Sequence, residues 1–108
     1  MNLYYQGQII HHRVLMADTF IKRLKGLMFI KKPPDYLLVF HPCNSIHTFF
    51  MRIQIDVLFL DSDLVVVKKI EGLKKNRVIM PVAGAKYVIE GRQGSFKQIA
   101  AGDCLSLC

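Results

Sequence analysis

The sequence predicts a mainly β domain with one or two short helices, its strands mostly antiparallel and closed into a partly closed barrel or strongly curled sheet. Three observations carry this. Short runs of β-branched and aromatic residues, among them "YLLVF", "QIDVLFL", "LVVVKKI" and "AKYVIEG", recur between turn-forming clusters at frequent intervals. Only one longer stretch changes to a helical period. Only one connection, near the start, is long enough for a helical crossover, which disfavours parallel βαβ alternation.

A chain of 108 residues can bury one core without metal or disulfide staples, so residues 1–108 are read as a single domain. With 52% hydrophobic and 21% charged residues it lies outside the regime in which chains stay disordered.

Taken in order, "QIIHHRVLM" (8–16) is β-like and suits an edge strand, with His11 and His12 on opposite faces and therefore unable to chelate together. In "ADTFIKRLKGLMF" the apolar positions Phe20, Leu24, Leu27 and Met28 follow a helical spacing. Asp18 or Thr19 is placed to cap that helix and Gly26 to end it in a left-handed turn. "KKPPD" then forces a loop, because proline lacks an amide hydrogen and pushes its predecessor out of the α region. "YLLVF" reads as a buried strand, "HPCNS" as a turn, and "IHTFFM" with "QIDVLFL" as one or two further strands. "DSD" turns the chain into "LVVVKKI". After "EGLKKNR" and "VIM" comes the strand "AKYVIEG", followed by a Ser95-capped helical turn, a Gly102-Asp103 turn and a closing strand.

Several function classes drop out. No apolar run approaches the roughly 18–20 residues of a membrane span, so no membrane partner is expected. Gln6, Gln8, His11 and His12 interrupt anything like a secretory signal, which predicts a cytoplasmic protein. Cys43, Cys104 and Cys108 form no CxxC pair and read as free thiols. Fifteen Lys and Arg against eight Asp and Glu give a formal charge of +7, enough to attract anions through long-range fields. The cations come in short scattered clusters without a recognition motif, so a nucleic-acid partner is not expected. GxSxG, a phosphate-binding glycine loop and a dinucleotide fingerprint are all missing.

The candidate chemistry lies in "SIHTFFMRIQIDVLFLD" (45–61). Extended backbone puts Gln54, Asp56, Leu58 and Leu60 on one face and Ile53, Ile55, Val57 and Phe59 on the other, both largely apolar. A carboxylate there must be exposed in a cleft, paired or protonated, because an unpaired buried charge costs several kcal/mol, on the order of 5. Arg52 and His47 are its nearest partners in sequence; backbone amides at a strand bend are the alternative. His41, Cys43 and His47 are metal-competent within seven residues, yet no second ligand pair completes a four-ligand site. No metal and no cofactor is expected.

In order along the chain, "ADT" (17–19), "GLMF" (26–29), "IHTFFM" (46–51), "IDVLFLD" (55–61), "VIEG" (88–91) and "GD" (102–103) resemble the domain of unknown function 192 family. The resemblance covers nearly everything from Val14 onward. It implies a compact β-rich single domain with no assigned reaction, whose polar signature falls on His47, Thr48, Arg52, Asp56, Asp61 and Glu90, accompanied by Gly26, Met28 and Met51. Two departures concern local geometry: Gln54 stands where a proline is common and Leu64 where a turn glycine is common.

The reading that follows is a small binding domain whose cleft, near His47, Thr48, Arg52, Asp56 and Glu90, takes a small polar or anionic ligand or a peptide segment. Arg52 would hold an anion, His47 and Thr48 would exchange hydrogen bonds, and Asp56 would orient the basic group. One alternative is a hydrolase-like enzyme with His47 as general base and Asp56 as its orienting carboxylate. The other is a scaffold that pairs through an edge strand.

Overall fold

The computed structural model describes residues 1–17, 19 and 26–108. Ten strands follow one another: β1 (Leu3–Tyr5), β2 (Gln8–His11), β3 (Val14–Met16), β4 (Leu37–Phe40), β5 (Ile46–His47), β6 (Ile55–Leu60), β7 (Val66–Leu73), β8 (Val78–Ile79), β9 (Tyr87–Arg92) and β10 (Leu105–Leu107). They form a five-stranded sheet in the order β3-β4-β9-β6-β7, a three-stranded sheet β10-β1-β2 and a two-stranded ribbon β5-β8. Every pairing is antiparallel except β3 with β4.

Mainly β structure and mostly antiparallel pairing are therefore as expected, but no sheet closes into a barrel. The large sheet ends in β3 on one side and β7 on the other, so its edges stay apart. The reason lies in "QIIHHRVLM", which is not one strand. It breaks after His11, so that β2 joins the small sheet and β3 the large one.

No helix occurs among the described residues. The helix expected over 18–26 lies for the most part outside them, although Gly26 does take the left-handed conformation foreseen for its end (φ 49). The helical turn expected at Ser95 is a correction. The Ser95 hydroxyl donates back to the Arg92 carbonyl (2.6 Å) instead of capping amides ahead of it, and the bonds Ser95 N to Arg92 O and Ile99 N to Phe96 O span three residues. The segment is a run of turns. At the "DSD" turn, Asp61 Oδ1 accepts from the amides of Asp63 and Val65, while Leu64 holds the left-handed φ of 63 that a glycine would adopt more cheaply.

β6 explains the layering. All six of its residues are buried, because β9 and β7 flank it and apolar side chains cover both faces. Ile55, Val57 and Phe59 join Leu27, Phe40, Met51 and Val88 on one face. Leu58 and Leu60 join Leu37, Val39, Ile89, Phe96 and Ile99 on the other. The face assignment made from the sequence holds, and it leaves Asp56 on the same side as Leu58 and Leu60.

Candidate functional site

Asp56 is 2% exposed and its charge is met by backbone. Oδ1 accepts from the Gly72 amide and Oδ2 from the Gly94 amide, both at 2.8 Å. The local cause is a register shift. Between the pairs Ile55–Leu73 and Val57–Ile70, β7 carries one residue more than β6, and Gly72 lies in that bulge with φ 64. A bulge leaves an amide without its ladder partner, and the Asp56 carboxylate supplies the acceptor. Across the other edge Asp56 stands opposite Gly91, where a Cβ would come 2.5 Å from Leu37 Cδ2 and 2.7 Å from Ser95 Oγ. Asp56 thus fastens β6 to the bulge on one side and to the turn after β9 on the other.

Thr48 has a comparable task. It is fully buried; its hydroxyl donates to the Lys74 carbonyl and accepts from the Arg77 amide, both at 2.7 Å. Its own amide donates to Arg77 O (2.8 Å), and its carbonyl accepts from Asn76 N (3.1 Å). Thr48 therefore clamps the 74–77 loop beside residues 48–50. Replacing it by valine keeps the shape and removes the partner of the part-buried Arg77 amide and Lys74 carbonyl, so Thr48→Val is expected to cost about 1–3 kcal/mol in urea unfolding.

His47, in β5 opposite Val78, is half buried; its Nδ1 accepts from the Phe49 amide (3.3 Å) and its ring stacks on Phe49 at 5.3 Å. Arg52 is exposed. Neither side chain hydrogen-bonds Asp56, whose two oxygens are taken by glycine amides, so the sequence-adjacent trio is not joined in one network. His41 stacks on Tyr87 (4.0 Å) and Cys43 Sγ points to Ser45 O (3.2 Å), and among the described residues no group of three His, Cys, Asp or Glu is placed to hold an ion.

Glu90 differs from the rest. It lies in β9 directly opposite Leu38 of β4 and Val57 of β6, on the face that carries Phe40 and Val88, and is 2% exposed. Its Oε1 accepts no hydrogen bond among the described residues. Burial pushes its carboxyl up from 4.5 to about 8, because removal from water disfavours the charged form. Gly26 covers it closely: a Cβ there would sit 3.3 Å from Oε1 and 3.3 Å from Phe40 Cζ. The outer side of Gly26 opens into a cleft of about 220 Å³ lined by Leu15, Met16, Ala17, Ile30, Tyr36 and Leu38. None of the five residues singled out in sequence lines this cleft itself; Glu90 lies directly behind Gly26, which does.

The cleft lining was not visible in the sequence, because its residues come from β3, β4 and the stretch around Gly26 and are individually ordinary apolar residues. Two other clefts share Arg92 and Gln93. One is lined besides by Pro33, Ile53 and Gln54, the other by polar residues that include His11, Ser95 and Lys97.

Comparison with known proteins identifies the family and supports the fold. The profile of DUF192, described as an uncharacterised family, matches residues 3–107. The chain belongs to the DUF192 family. The UPF0127 protein PH1112 of Pyrococcus horikoshii is 48% identical over 99 residues, covering 86% of this chain and 79% of that protein. The UPF0127 protein TK1120 of Thermococcus kodakarensis is 39% identical over 108 residues, covering 94% of this chain and 68% of its own length. A crystal structure of a protein of unknown function from Novosphingobium aromaticivorans superimposes with a TM-score of 0.80 at 21% identity, over 98% of this chain and 82% of that one. At that identity the last match speaks for the DUF192 fold alone. No described helix is long and apolar enough to cross a membrane.

Proposed function

We propose that this DUF192 domain is a binding domain for a small polar ligand that enters the cleft beside Gly26 and gives a hydrogen bond to Glu90. The observation that carries the reading is the buried, unanswered Oε1 of Glu90. A buried acceptor without a donor costs about 1–3 kcal/mol, and a ligand donor that reaches it recovers that cost as affinity. The described lining is mostly apolar, and the volume, about 220 Å³, lies below the roughly 300–1,000 Å³ of drug-sized sites. Both features favour a short aliphatic body ending in an ammonium or hydroxyl group. An anion is less favoured at this place, since Arg52 and every other described cation are absent from the lining. The hydrolase reading has less support, because His47 has no carboxylate partner among the described residues. Three cysteines without a disulfide among them support a reducing, cytoplasmic setting.

Titration of the isotope-labelled protein with n-butylamine and, separately, butyrate tests this. Butylamine should shift the amide signals of Met16, Gly26, Leu38 and Glu90, and butyrate should not. Glu90→Leu should weaken butylamine roughly tenfold or more, the scale of one charge-assisted hydrogen bond. Equal response to both probes, or butylamine binding that survives Glu90→Leu, would sink the reading.

A further inference from the structure

Five large apolar side chains stand out of the surface near one another: Phe29 (54% exposed), Phe49, Phe50 (64%), Val78 and Met80. They belong to three segments that the backbone stitches together. The Phe29 amide donates to the Phe50 carbonyl at 3.0 Å, and the two rings stack at 5.7 Å. Thr48 holds the loop 74–77 through Lys74 O, Asn76 N and Arg77, and β5 pairs with β8 so that His47 faces Val78. Phe29, Phe50 and Asn76 are all left-handed, with φ of 67, 63 and 57. For a phenylalanine that conformation is strained by the approach of Cβ to the carbonyl. A ring more than half exposed in a strained turn repays little to the fold by burial, which is the pattern of a turn kept for contact with something else.

Charge narrows what that is. The segments 29–32, 49–52 and 74–80 contain Lys31, Lys32, Arg52, Lys74, Lys75 and Arg77, all exposed, and not one Asp or Glu. Apolar tips ringed by cations match a surface that is anionic outside and apolar beneath. We propose that this face docks onto an anionic lipid surface, with Phe50, Phe29 and Met80 entering the headgroup region and the six cations meeting phosphate and carboxylate headgroups. Single-stranded nucleic acid fits less well. Phe29 and Phe50 already stack on each other and Phe49 on His47, while Val78 and Met80 offer bases no ring. A peptide needs a groove, and none of the clefts described above is lined by these five side chains. Hydropathy along the chain could not foresee this, since it detects spans and not exposed tips drawn from three separate segments.

The test is flotation of the full chain with phosphatidylcholine vesicles, neutral or carrying about 30% phosphatidylserine, in about 0.1 M salt, beside a poly(U) filter-binding assay. The wild-type protein should partition onto the anionic vesicles roughly tenfold more than onto the neutral ones. The double substitution Lys74→Glu, Lys75→Glu should remove most of that preference. Phe50→Gly should lower vesicle partition roughly fivefold or more while leaving the melting temperature equal to or above that of the wild type, because glycine relieves the positive φ. A drop in melting temperature with unchanged vesicle partition would make Phe50 a packing residue and overturn the proposal. So would binding to poly(U) without vesicle partition, or absence of any preference for the anionic vesicles.

Discussion

Between about pH 4.5 and 8 the wild-type protein is expected to lose stability as pH rises, and a Glu90→Gln variant is expected to lose much less. The unfolded glutamate releases its proton near 4.5, whereas burial holds the folded one to about 8. In that window the folded state therefore binds one proton more than the unfolded state, and raising the pH favours unfolding. The contribution is fully present below the unfolded value and is lost as pH climbs through the folded one. The slope approaches ~1.4 kcal/mol per pH unit and accumulates to the order of 5 kcal/mol above pH 8. His11 titrates nearby with the opposite sign. Burial pushes its pKa below the usual value, so its folded form binds fewer protons and stability rises with pH there. The informative quantity is thus the difference between wild type and Glu90→Gln in urea unfolding at each pH, in which His11 cancels. Parallel pH profiles for the two proteins would show that Glu90 does not carry a shifted proton. An amine bound beside Glu90 would favour its ionised form and flatten the wild-type profile.

The central strand was legible because burial on both faces leaves a mark in sequence: "IDVLFL" is continuous apolar sequence apart from one carboxylate, and its alternation assigned Leu58 and Leu60 to one core and Val57 and Phe59 to the other. The carboxylate itself reads as needing an answer, and backbone amides at a bend, one of the two answers offered, are what it has; which amides they are does not show in the sequence. Arg52 and His47 were chosen for nearness along the chain, and the amides that hold Asp56 are 16 and 38 residues away. Sequence distance is a poor guide to partners in a sheet whose neighbours are non-consecutive strands. Closure failed for a related reason, since the break between β2 and β3 that sends the chain into a second sheet leaves no signature in "QIIHHRVLM". Glu90 was named through the family resemblance. Its isolation depends on Leu38, Val57, Phe40 and Gly26, four positions that only the folded chain brings together. The strained phenylalanines were hidden too, because "GLMF" and "HTFFM" look like ordinary core sequence until φ is known.

Asp56→Ala is expected to be the most damaging single change in the β6 region, lowering stability by about 3–5 kcal/mol, with the loss read from urea midpoints and from hydrogen exchange at two named amides. The substitution removes an acceptor from Gly72 N and another from Gly94 N, both part-buried, and each orphaned donor costs about 1–3 kcal/mol. Water cannot readily replace the carboxylate, because Asp56 is itself 2% exposed and lies between β7 and β9. Asp56→Asn separates shape from charge. The amide keeps one oxygen for one glycine and turns an NH₂ toward the other, so it should retain part of the stability and restore protection at only one of the two amides. A carboxylate held for chemistry behaves differently: its removal typically leaves stability unchanged or improved while function falls. Faster exchange confined to Gly72 and Gly94, together with a large loss of stability, would assign Asp56 to the bulge and the turn it bridges. An Asp56→Ala protein as stable as the wild type would return Asp56 to the list of candidate ligand-contacting groups. The two described carboxylates buried in this sheet thus make opposite predictions, Asp56 stabilising because backbone amides complete it and Glu90 destabilising at neutral pH because no described amide reaches its Oε1.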